Sequence, residues 1–390
     1  MTAAANDAAE GFERAYGYAP VGVWAAPGRV NLIGEYTDVN EGHVLPIALP
    51  HCTRVAAAAR TDGLLRLRSR EAAEAGTSEL PLAGLVPGGV PGWAAYPAGV
   101  AWALREAGLP VGGADLYVES DVPAGAGLSS SAALEVATAL ALTELHGAAG
   151  ERPALARLAQ RAENAFVGVP CGVMDQTASA CCTAGHALHL DTRDLALRQV
   201  PFDLAAHGLR LLVVDTRVRH ALADGAYAAR RAGCEAAARA LGVRALRDVP
   251  HAELGDALGR LADASLRPLV RHVVTEGERV REVVALLAAR EPRKAGPLLT
   301  AGHTSLRDDF AVSCPELDLA VAVANEAGAL GARMTGAGFG GSALALVEEG
   351  AADAVGAAVT AAFAAAGHRP PRVFAAVAGA GARRVFRGEG

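Results

Sequence analysis

The chain has 390 residues, enough for two domains with separate cores, and 52% of its residues are hydrophobic. Its formal net charge is −6 and it has no block of basic residues, so nucleic acid is not an expected partner. We also expect no membrane association, because the N-terminus does not resemble a signal peptide and no stretch of about 18 residues is strongly apolar.

The cysteines indicate a cytoplasmic protein. There are six, including the adjacent pair Cys181 and Cys182, and they form no C-x-x-C pair. This pattern is not a disulfide framework, and a reducing cytoplasm fits it best. The segment 181–189 also contains two histidines, but its spacing matches no zinc pattern, so ordinary structure is the favoured interpretation over a metal site.

The N-terminal third has a polar segment between predicted helices and strands. The predicted elements are a helix (7–18), the polar segment (26–50), a strand pair with a turn at 61–63 (51–69), a loop (76–92) and a helix (93–108). The charged and amide residues of the polar segment include Arg29, Asn31, Glu35, Asp38 and Asn40. Buried charges need partners, so the segment is either an internally satisfied loop or a pocket for a hydroxyl-rich ligand.

The stretch 122–147 predicts a strand, a glycine-rich turn and a helix that starts near Ser129. The preceding residues alternate as in a strand, Gly125 and Gly127 interrupt regular structure, and serine is a preferred N-cap. Free N–H groups at a helix start can bind phosphate, although an ordinary turn is an equal alternative. There is no GxxxxGK[ST] motif and the chain has one lysine, Lys294, so a nucleotide site would need hydroxyls, arginine and a metal.

The remaining chain alternates between helical and strand-like segments. We predict a helix with Glu163 near its end (151–168), a turn through Pro170 and Gly172 into a helix, strands (186–202 and 209–218), a helix with Tyr227 (219–241), interrupted helices (251–327), a glycine-rich turn into a strand (331–350), a helix (352–366) and a final strand. Asp175 lies in a first helical turn, where an acid is also a common stabilising choice. We expect two domains, 1–205 and 206–390.

Three motifs carry a resemblance to a known family. GRVNLIGEYTD (28–38), PAGAGLSSSAALE (123–135) and MTGAGFGGSALALV (334–347) resemble, in order and spacing, the three motifs of the GHMP small-molecule kinases. The first motif is most similar to that of the galactokinases, and further similar pieces cover nearly the whole chain. They are WAAYPAGV (93–100), 162–176, 218–235 and 305–318.

The resemblance implies an α/β (α+β) protein with the GHMP kinase fold. This fold has an N-terminal ribosomal-S5-domain-2-like lobe and a C-terminal ferredoxin-like lobe, with the active site in the cleft between them. The implied activity is transfer of phosphate from ATP to the anomeric hydroxyl of α-D-galactose, with Mg²⁺ as cofactor. Galactose and ATP are the implied partners, and we expect a monomer, with a homodimer as the open alternative.

The resemblance also implies roles for individual residues. Asp175 would lie beside the attacking hydroxyl, either as its base or as an orienting group, and Arg29 would lie between Asp175 and the γ-phosphate. Ser131 and Glu163 resemble the magnesium ligands, and such hard oxygen ligands suit this ion. The implied sugar-binding positions are Glu35, Tyr36, Thr37, Asp38, Gly172, Asp175 and Tyr227. The implied ATP-binding positions are Ser69, Trp93, Tyr96, Gly125, Ala126, Gly127, Leu128, Ser129, Ser130 and Ser131; from the residues alone, Trp93 and Tyr96 could equally belong to the core.

The sugar motif departs from the family pattern. The usual EHTDYN is EYTDVN here, with Tyr36 in place of His and Val39 in place of Tyr. Strict galactose specificity is therefore open, and kinases for galactosamine, arabinose or a uronic acid are alternatives. A non-catalytic sugar and ATP sensor is a further alternative, but the three serines at 129–131 together with Asp175 favour catalysis.

Overall fold

The computed structural model describes residues 3–148, 150–219 and 223–388. The strands are β1 (Gly22–Asn31), β2 (His43–Val44), β3 (Pro46–Arg60), β4 (Leu64–Ser69), β5 (Ser78–Pro81), β6 (Gly113–Ser120), β7 (His186–Asp191), β8 (Leu197–Pro201), β9 (Leu209–Arg219), β10 (Gly331–Thr335), β11 (Gly340–Glu348), β12 (Arg372–Ala376) and β13 (Arg383–Arg387). The α-helices are α1 (Ala3–Tyr16), α2 (Ala95–Glu106), α3 (Ser130–Leu145), α4 (Arg152–Arg161), α5 (Met174–Cys181), α6 (Ala223–Leu241), α7 (Leu254–Arg260), α8 (Arg267–Ala288), α9 (Gly296–Asp308), α10 (Pro315–Glu326) and α11 (Ala352–Ala365).

A six-stranded sheet forms the N-terminal part, in the order β13-β1-β3-β6-β4-β5. Only β4 and β6 pair in parallel. The predicted alternation in β6 is present, but both of its faces are covered. Leu116 and Val118 join the core that includes residues of α2 and α3, whereas Tyr117 packs with Phe12 of α1. The sheet therefore holds the chain rigidly up to the glycine-rich turn that follows β6.

A second sheet of four antiparallel strands forms the C-terminal part, in the order β10-β11-β9-β12. The helices α6 to α10 lie between β9 and β10 in sequence, and α11 lies between β11 and β12. This β-α-β-β-α-β order with antiparallel strands is the ferredoxin-like arrangement that the resemblance implies. A separate sheet, β2-β7-β8, lies beside the first motif.

The structure differs from the sequence interpretation at three segments. The strands predicted at 51–69 form as β3 and β4, but they do not pair with each other, because β6 lies between them and pairs with both. The predicted loop at 76–92 contains the short strand β5, which pairs with β4 at the sheet edge. The C-terminal segment forms two strands, and the last of them, β13, pairs with β1 in the N-terminal sheet. The division at residues 205 and 206 stays a prediction, with the qualification that β13 lies in the sheet of the first segment.

The predicted helix at 219–241 is described from Ala223 onward, and residues 220–222 of that prediction lie outside the described residues. No helix in the described ranges is both long and apolar enough to cross a lipid bilayer.

Candidate active site

The glycine-rich turn between β6 and α3 uses left-handed backbone at three positions. Gly125 has φ 82°, Gly127 has φ 71° and Ser129 has φ 58°. Ser129 precedes the helix as predicted, but its side chain does not cap the helix start. Its hydroxyl instead donates to Oδ2 of Asp175. The turn therefore leaves the first N–H groups of α3 without a serine cap, and unpaired N–H groups at a helix start favour an anion.

The third motif packs directly on this turn. A Cβ at Gly336 would lie 3.2 Å from the carbonyl oxygen of Gly127, and Gly336 has φ 84°. The Ser342 hydroxyl donates to the carbonyl of Ala126 at 2.7 Å. Glycine is favoured at 336 because the backbone is left-handed and a Cβ there would press on the neighbouring backbone. Gly336 in the loop between β10 and β11, together with Ser342 on β11, thus fixes the shape of the glycine-rich turn between β6 and α3, which we call the phosphate-type turn.

Arg29 and Asp175 form the central ion pair of the site. Nε of Arg29 donates to Oδ1 at 2.9 Å and Nη2 donates to Oδ2 at 2.8 Å, and the remaining Nη1 donates to the Gly127 carbonyl at 2.6 Å. Arg29 lies on β1 and is 4% exposed, whereas the Asp175 side chain is 27% exposed. The pair therefore brings the first motif, the glycine-rich turn and the start of α5 to one point, with a carboxylate that a ligand can reach.

A cavity of about 200 Å³ opens beside this pair. Of the predicted sites, those that line it are Arg29, Glu35, Tyr36, Asp38, Gly172, Asp175 and Tyr227. Polar and aromatic side chains on a small cavity suit a ligand with several hydroxyl groups. Of the two interpretations of the polar segment, the pocket is thus the one that the geometry supports.

Two carboxyl groups in the cavity wall have strongly shifted pKa values. Burial raises the pKa of Glu35 to about 7, against the opposing effect of Arg333. Burial and the charge of Asp175 raise the pKa of Asp38 to about 6. Perturbed carboxyl groups that line a cavity are a common feature of functional sites.

Tyr36 closes one side of the cavity with its ring. Its hydroxyl donates to the Ala337 carbonyl of the third motif at 2.5 Å, and its ring lies 4.6 Å from Phe310 and 5.3 Å from Tyr227, between ring centroids. The side chain is 4% exposed. Tyr36 therefore connects the first and third motifs, and its hydroxyl is directed at the protein backbone.

Gly172 allows Asp38 to approach the turn before α5. A Cβ at position 172 would collide with the Asp38 carboxylate. The neighbouring Cys171 is held by Asn164, whose Oδ1 accepts from the Cys171 N–H at 2.7 Å. The predicted turn through Pro170 and Gly172 thus forms a fixed wall of the cavity.

Glu163 lies in a π-helical turn, Ala162–Val167, that follows α4. Its carboxylate accepts from Nε2 of Gln176 at 2.6 Å, and the same nitrogen donates to Oε2 of Glu135 at 3.1 Å. Burial raises the pKa of Glu163, and a hydrogen bond with Ser131 opposes that shift. Ser131 and Glu163 are therefore adjacent, as the predicted metal site requires, and π-helical turns are frequent at functional sites.

The oxygen donors at this point fit magnesium. Ser131 and Glu135 are one helical turn apart on α3, and Oε1 of Glu135 has no hydrogen-bond partner. Within the described ranges, no group of three or more His, Cys, Asp or Glu residues is arranged to hold a metal. A site with one hydroxyl and one carboxylate matches an ion that takes one or two protein ligands and completes its shell with phosphate and water.

Four predicted binding positions neither line the cavity nor belong to the glycine-rich turn and the predicted metal site. Thr37 is buried, and its hydroxyl lies 2.8 Å from the Gly34 carbonyl and 2.6 Å from the His43 carbonyl, so its contact with the sugar stays a prediction. Ser69 ends β4 next to β6 and donates to Glu71 at 3.0 Å. Trp93 is half-buried against the N-terminal core, and Tyr96 is half-buried at the start of α2. Their predicted contacts with ATP stay predictions.

Three models of known protein families match this chain. The galactokinase galactose-binding signature matches residues 10–59, the GHMP kinases N terminal domain matches 95–183 and the GHMP kinases C terminal domain matches 283–365. A galactokinase from Streptomyces coelicolor is 61% identical over 384 residues, which cover 98% of this chain and 99% of that protein. This chain belongs to the galactokinase family.

Other members of the family and of the wider fold are similar over nearly the full length. A galactokinase from Mycobacterium tuberculosis is 48% identical over 92% of this chain and 98% of that protein. The crystal structure of Lactococcus lactis galactokinase complexed with galactose superposes with a TM-score of 0.93 at 31% identity, over 97% of this chain and 99% of that chain. A mevalonate kinase structure, at 17% identity and a TM-score of 0.63, shares the fold and covers 94% of this chain and 99% of its own.

The sequence analysis missed four residues that support the site. Gln176 and Glu135 surround Glu163, and Arg333 and Glu276 lie behind Glu35. The sequence did contain a pattern that could have identified two of these four residues. Glu135 is the single acid near the start of an otherwise apolar helix, and Arg333 interrupts the apolar run before the third motif, so each needs a buried partner.

Proposed function

We propose that this chain transfers the γ-phosphoryl group of ATP to the anomeric hydroxyl of α-D-galactose, giving galactose 1-phosphate and ADP. The observation that carries the proposal is the position of Arg29. Its guanidinium binds the cavity-facing carboxylate of Asp175 on one side and the glycine-rich turn at Gly127 on the other. This is where an acceptor hydroxyl and a phosphate have to meet.

Asp175 and Arg29 carry the proposed chemistry. Phosphoryl transfer has a loose transition state with charge spread over the equatorial oxygens, so catalysis is mostly positioning and electrostatics. Asp175 accepts the hydrogen bond of the attacking hydroxyl and orients it, and takes its proton as the new bond forms. Arg29 stabilises the charge on the transferring group, because its positive charge lies between the Asp175 carboxylate and the glycine-rich turn.

The remaining roles follow from the groups around these two. The residues 125–131 hold the phosphates through N–H groups and hydroxyls, and Ser131 and Glu163 would hold a magnesium ion. When bound, that ion would supply positive charge that offsets the charge of the phosphates. Glu35, Asp38, Gly172 and Tyr227 form the proposed sugar site, together with the ring of Tyr36. We assign the adenosine part of ATP to Trp93, Tyr96 and Ser69.

We further propose that the protein acts as a monomer in the cytoplasm, with these two small molecules as its substrates. All six cysteines are free thiols in the structure, which suits a reducing compartment.

A coupled ADP-release assay over a panel of sugars tests the proposal. The panel contains galactose, galactosamine, arabinose, galacturonic acid and glucose, each with and without Mg²⁺. Galactose should give the highest kcat/KM. A higher value for another member would assign the chain to that sugar instead, and no ADP release with any sugar despite sugar binding would make it a sensor.

A further inference from the structure

A buried ion-pair cluster lies behind the sugar cavity, at the junction of the two sheets. Arg333 on β10 and Glu276 on α8 are both fully buried. Nη2 of Arg333 donates to Oε2 of Glu35 and, at 2.7 Å, to Oε1 of Glu276. Of these three residues, Glu35 is the one that lines the cavity. Arg333 and Glu276 do not line the cavity, so each would act on a ligand through a residue that does.

The same cluster holds the main chain around Glu35. Oε1 of Glu276 accepts from the Gly34 N–H at 2.8 Å, and Nε2 of His272 lies 3.1 Å from the Glu35 carbonyl oxygen. Both partners lie on α8. Glu35 therefore has its backbone and its side chain fixed by the C-terminal part of the molecule, although it belongs to the first motif.

The arrangement leaves part of the Glu35 carboxylate available. Its Oε2 is bound by Arg333, whereas Oε1 accepts one long hydrogen bond of 3.4 Å from the Gly336 N–H. A carboxylate has about four acceptor sites, so Oε1 can also accept from a ligand hydroxyl. Without a cationic partner, the buried carboxylate of Glu35 would be neutral and freer to rotate. Arg333 favours the charged form and holds the carboxylate in place.

We propose that Arg333, supported by Glu276, is a positioning residue that sets the discrimination of one sugar hydroxyl by acting through Glu35. The proposal rests on the galactose kinase function above. The chain after Arg333 leads within three residues to Gly336, which abuts Gly127 of the phosphate-type turn. Strand β10, whose Arg333 orients the Glu35 carboxylate, therefore also continues into the segment that shapes the phosphate-type turn.

Discrimination among deoxygenated sugars tests this role. The kcat/KM ratio between galactose and its 2-, 3-, 4- and 6-deoxy analogues is measured for the parent, Glu35→Gln, Arg333→Lys and the double variant. Glu35→Gln identifies the hydroxyl that Glu35 recognises. Arg333→Lys should lower the ratio about tenfold or more for that same analogue and leave the other ratios and the KM for ATP within a few-fold. In the Glu35→Gln background, Arg333→Lys should add no further loss at that hydroxyl.

Two further variants keep the test decisive. Arg293→Lys is the matched control, because Arg293 pairs with Glu348 at the surface, and its ratios should equal those of the parent. If Arg333→Lys does not fold, Glu276→Gln replaces it, because it removes the charge behind Arg333 and keeps an acceptor for Gly34. Unchanged ratios, or losses that add in the double variant, would overturn the proposal while leaving the galactose kinase function intact. A parent without activity on galactose would overturn both.

Discussion

Arg29 binds both carboxylate oxygens of Asp175, at 2.9 and 2.8 Å, and is itself 4% exposed. Such a two-bond pair fixes the plane of the carboxylate as well as its distance. The third contact of the guanidinium, to the Gly127 carbonyl, fixes the pair relative to the phosphate-type turn. We therefore expect the reaction to depend on the several hydrogen bonds of the Arg29 guanidinium, its fork, and not on its positive charge alone.

Arg29→Lys tests the importance of this fork. Lysine keeps the positive charge but cannot bind both carboxylate oxygens and the Gly127 carbonyl at once. We expect kcat to fall by about 10²–10³, the usual loss when one donor to transition-state charge is removed. The measurement is steady-state ADP release, with Arg210→Lys, at an exposed pair with Glu349, as the matched control. A kcat within a few-fold of the parent would remove Arg29 from the chemistry.

Glu163→Gln should raise the magnesium concentration that gives half-maximal activity. The amide is a weaker ligand for a hard cation than the carboxylate, whereas the sugar cavity lined by other residues is unchanged. Activity is titrated against Mg²⁺ at saturating ATP, and the KM for galactose should change less than the magnesium requirement. Glu106→Gln, at an exposed carboxylate of α2, serves as control. An unchanged magnesium curve for Glu163→Gln would give this residue a structural role only.

Asp38→Asn should stabilise the protein at neutral pH while impairing sugar binding. The pKa of Asp38 is raised from 3.8 to about 6 in the folded state, mainly by burial. The folded state therefore holds this proton more tightly, so the carboxyl contributes stability below about pH 4 that is lost as pH rises through about 6. Asparagine avoids the loss, and the free energy of unfolding should exceed that of the parent by up to about 3 kcal/mol at pH 7.

Urea unfolding at several pH values measures this difference. The advantage of Asp38→Asn should be small at pH 4 and should grow between pH 4 and 6. Asp62→Asn is the control with the opposite sign, because a hydrogen bond from Arg60 lowers the pKa of this exposed carboxyl to about 2. A difference for Asp38→Asn that does not depend on pH would show that its pKa is not raised.

Two substitutions of Tyr36 test which part of its side chain borders the sugar. Because its hydroxyl donates to the Ala337 carbonyl, Tyr36→Phe should cost about 1 kcal/mol of stability and leave the selectivity among deoxygenated galactoses unchanged. Tyr36→His removes ring volume and adds ring nitrogens at the cavity, so it should change that selectivity with little effect on the KM for ATP. If Tyr36→Phe alone alters the ratio at one hydroxyl, the tyrosine hydroxyl reaches the sugar.

The sequence predicted those helices, strands and turns that depend on residues close together in the chain. Periodicity and turn residues located the strand before the phosphate-type turn, the helix after it and the helix that starts near Asp175. The left-handed backbone at Ser129 was not predictable, because a serine before a helix normally caps it. Here the hydroxyl has a more favourable partner in Asp175, 46 residues away in sequence.

Local sequence patterns could not predict contacts between segments that are distant in the sequence. Glu35 and Arg333 are 298 positions apart, and their pairing depends on how β10 and the first motif meet in the folded chain. The same holds for β13, whose pairing with β1 depends on the return of the C-terminus to the N-terminal sheet. The resemblance to a family supplied the site residues, whereas the partners of the supporting groups behind them became visible only in three dimensions.

The most direct test of the account is the reaction of galactose with ATP, followed by phosphorus NMR for the parent, Asp175→Asn and Asp62→Asn. We predict that the parent forms a single sugar product phosphorylated at the anomeric oxygen. Asp62→Asn should match the parent, whereas Asp175→Asn should bind ATP normally and turn over at least about a hundredfold more slowly. Phosphate at another hydroxyl of the sugar, or turnover of Asp175→Asn within a few-fold of the parent, would contradict the account.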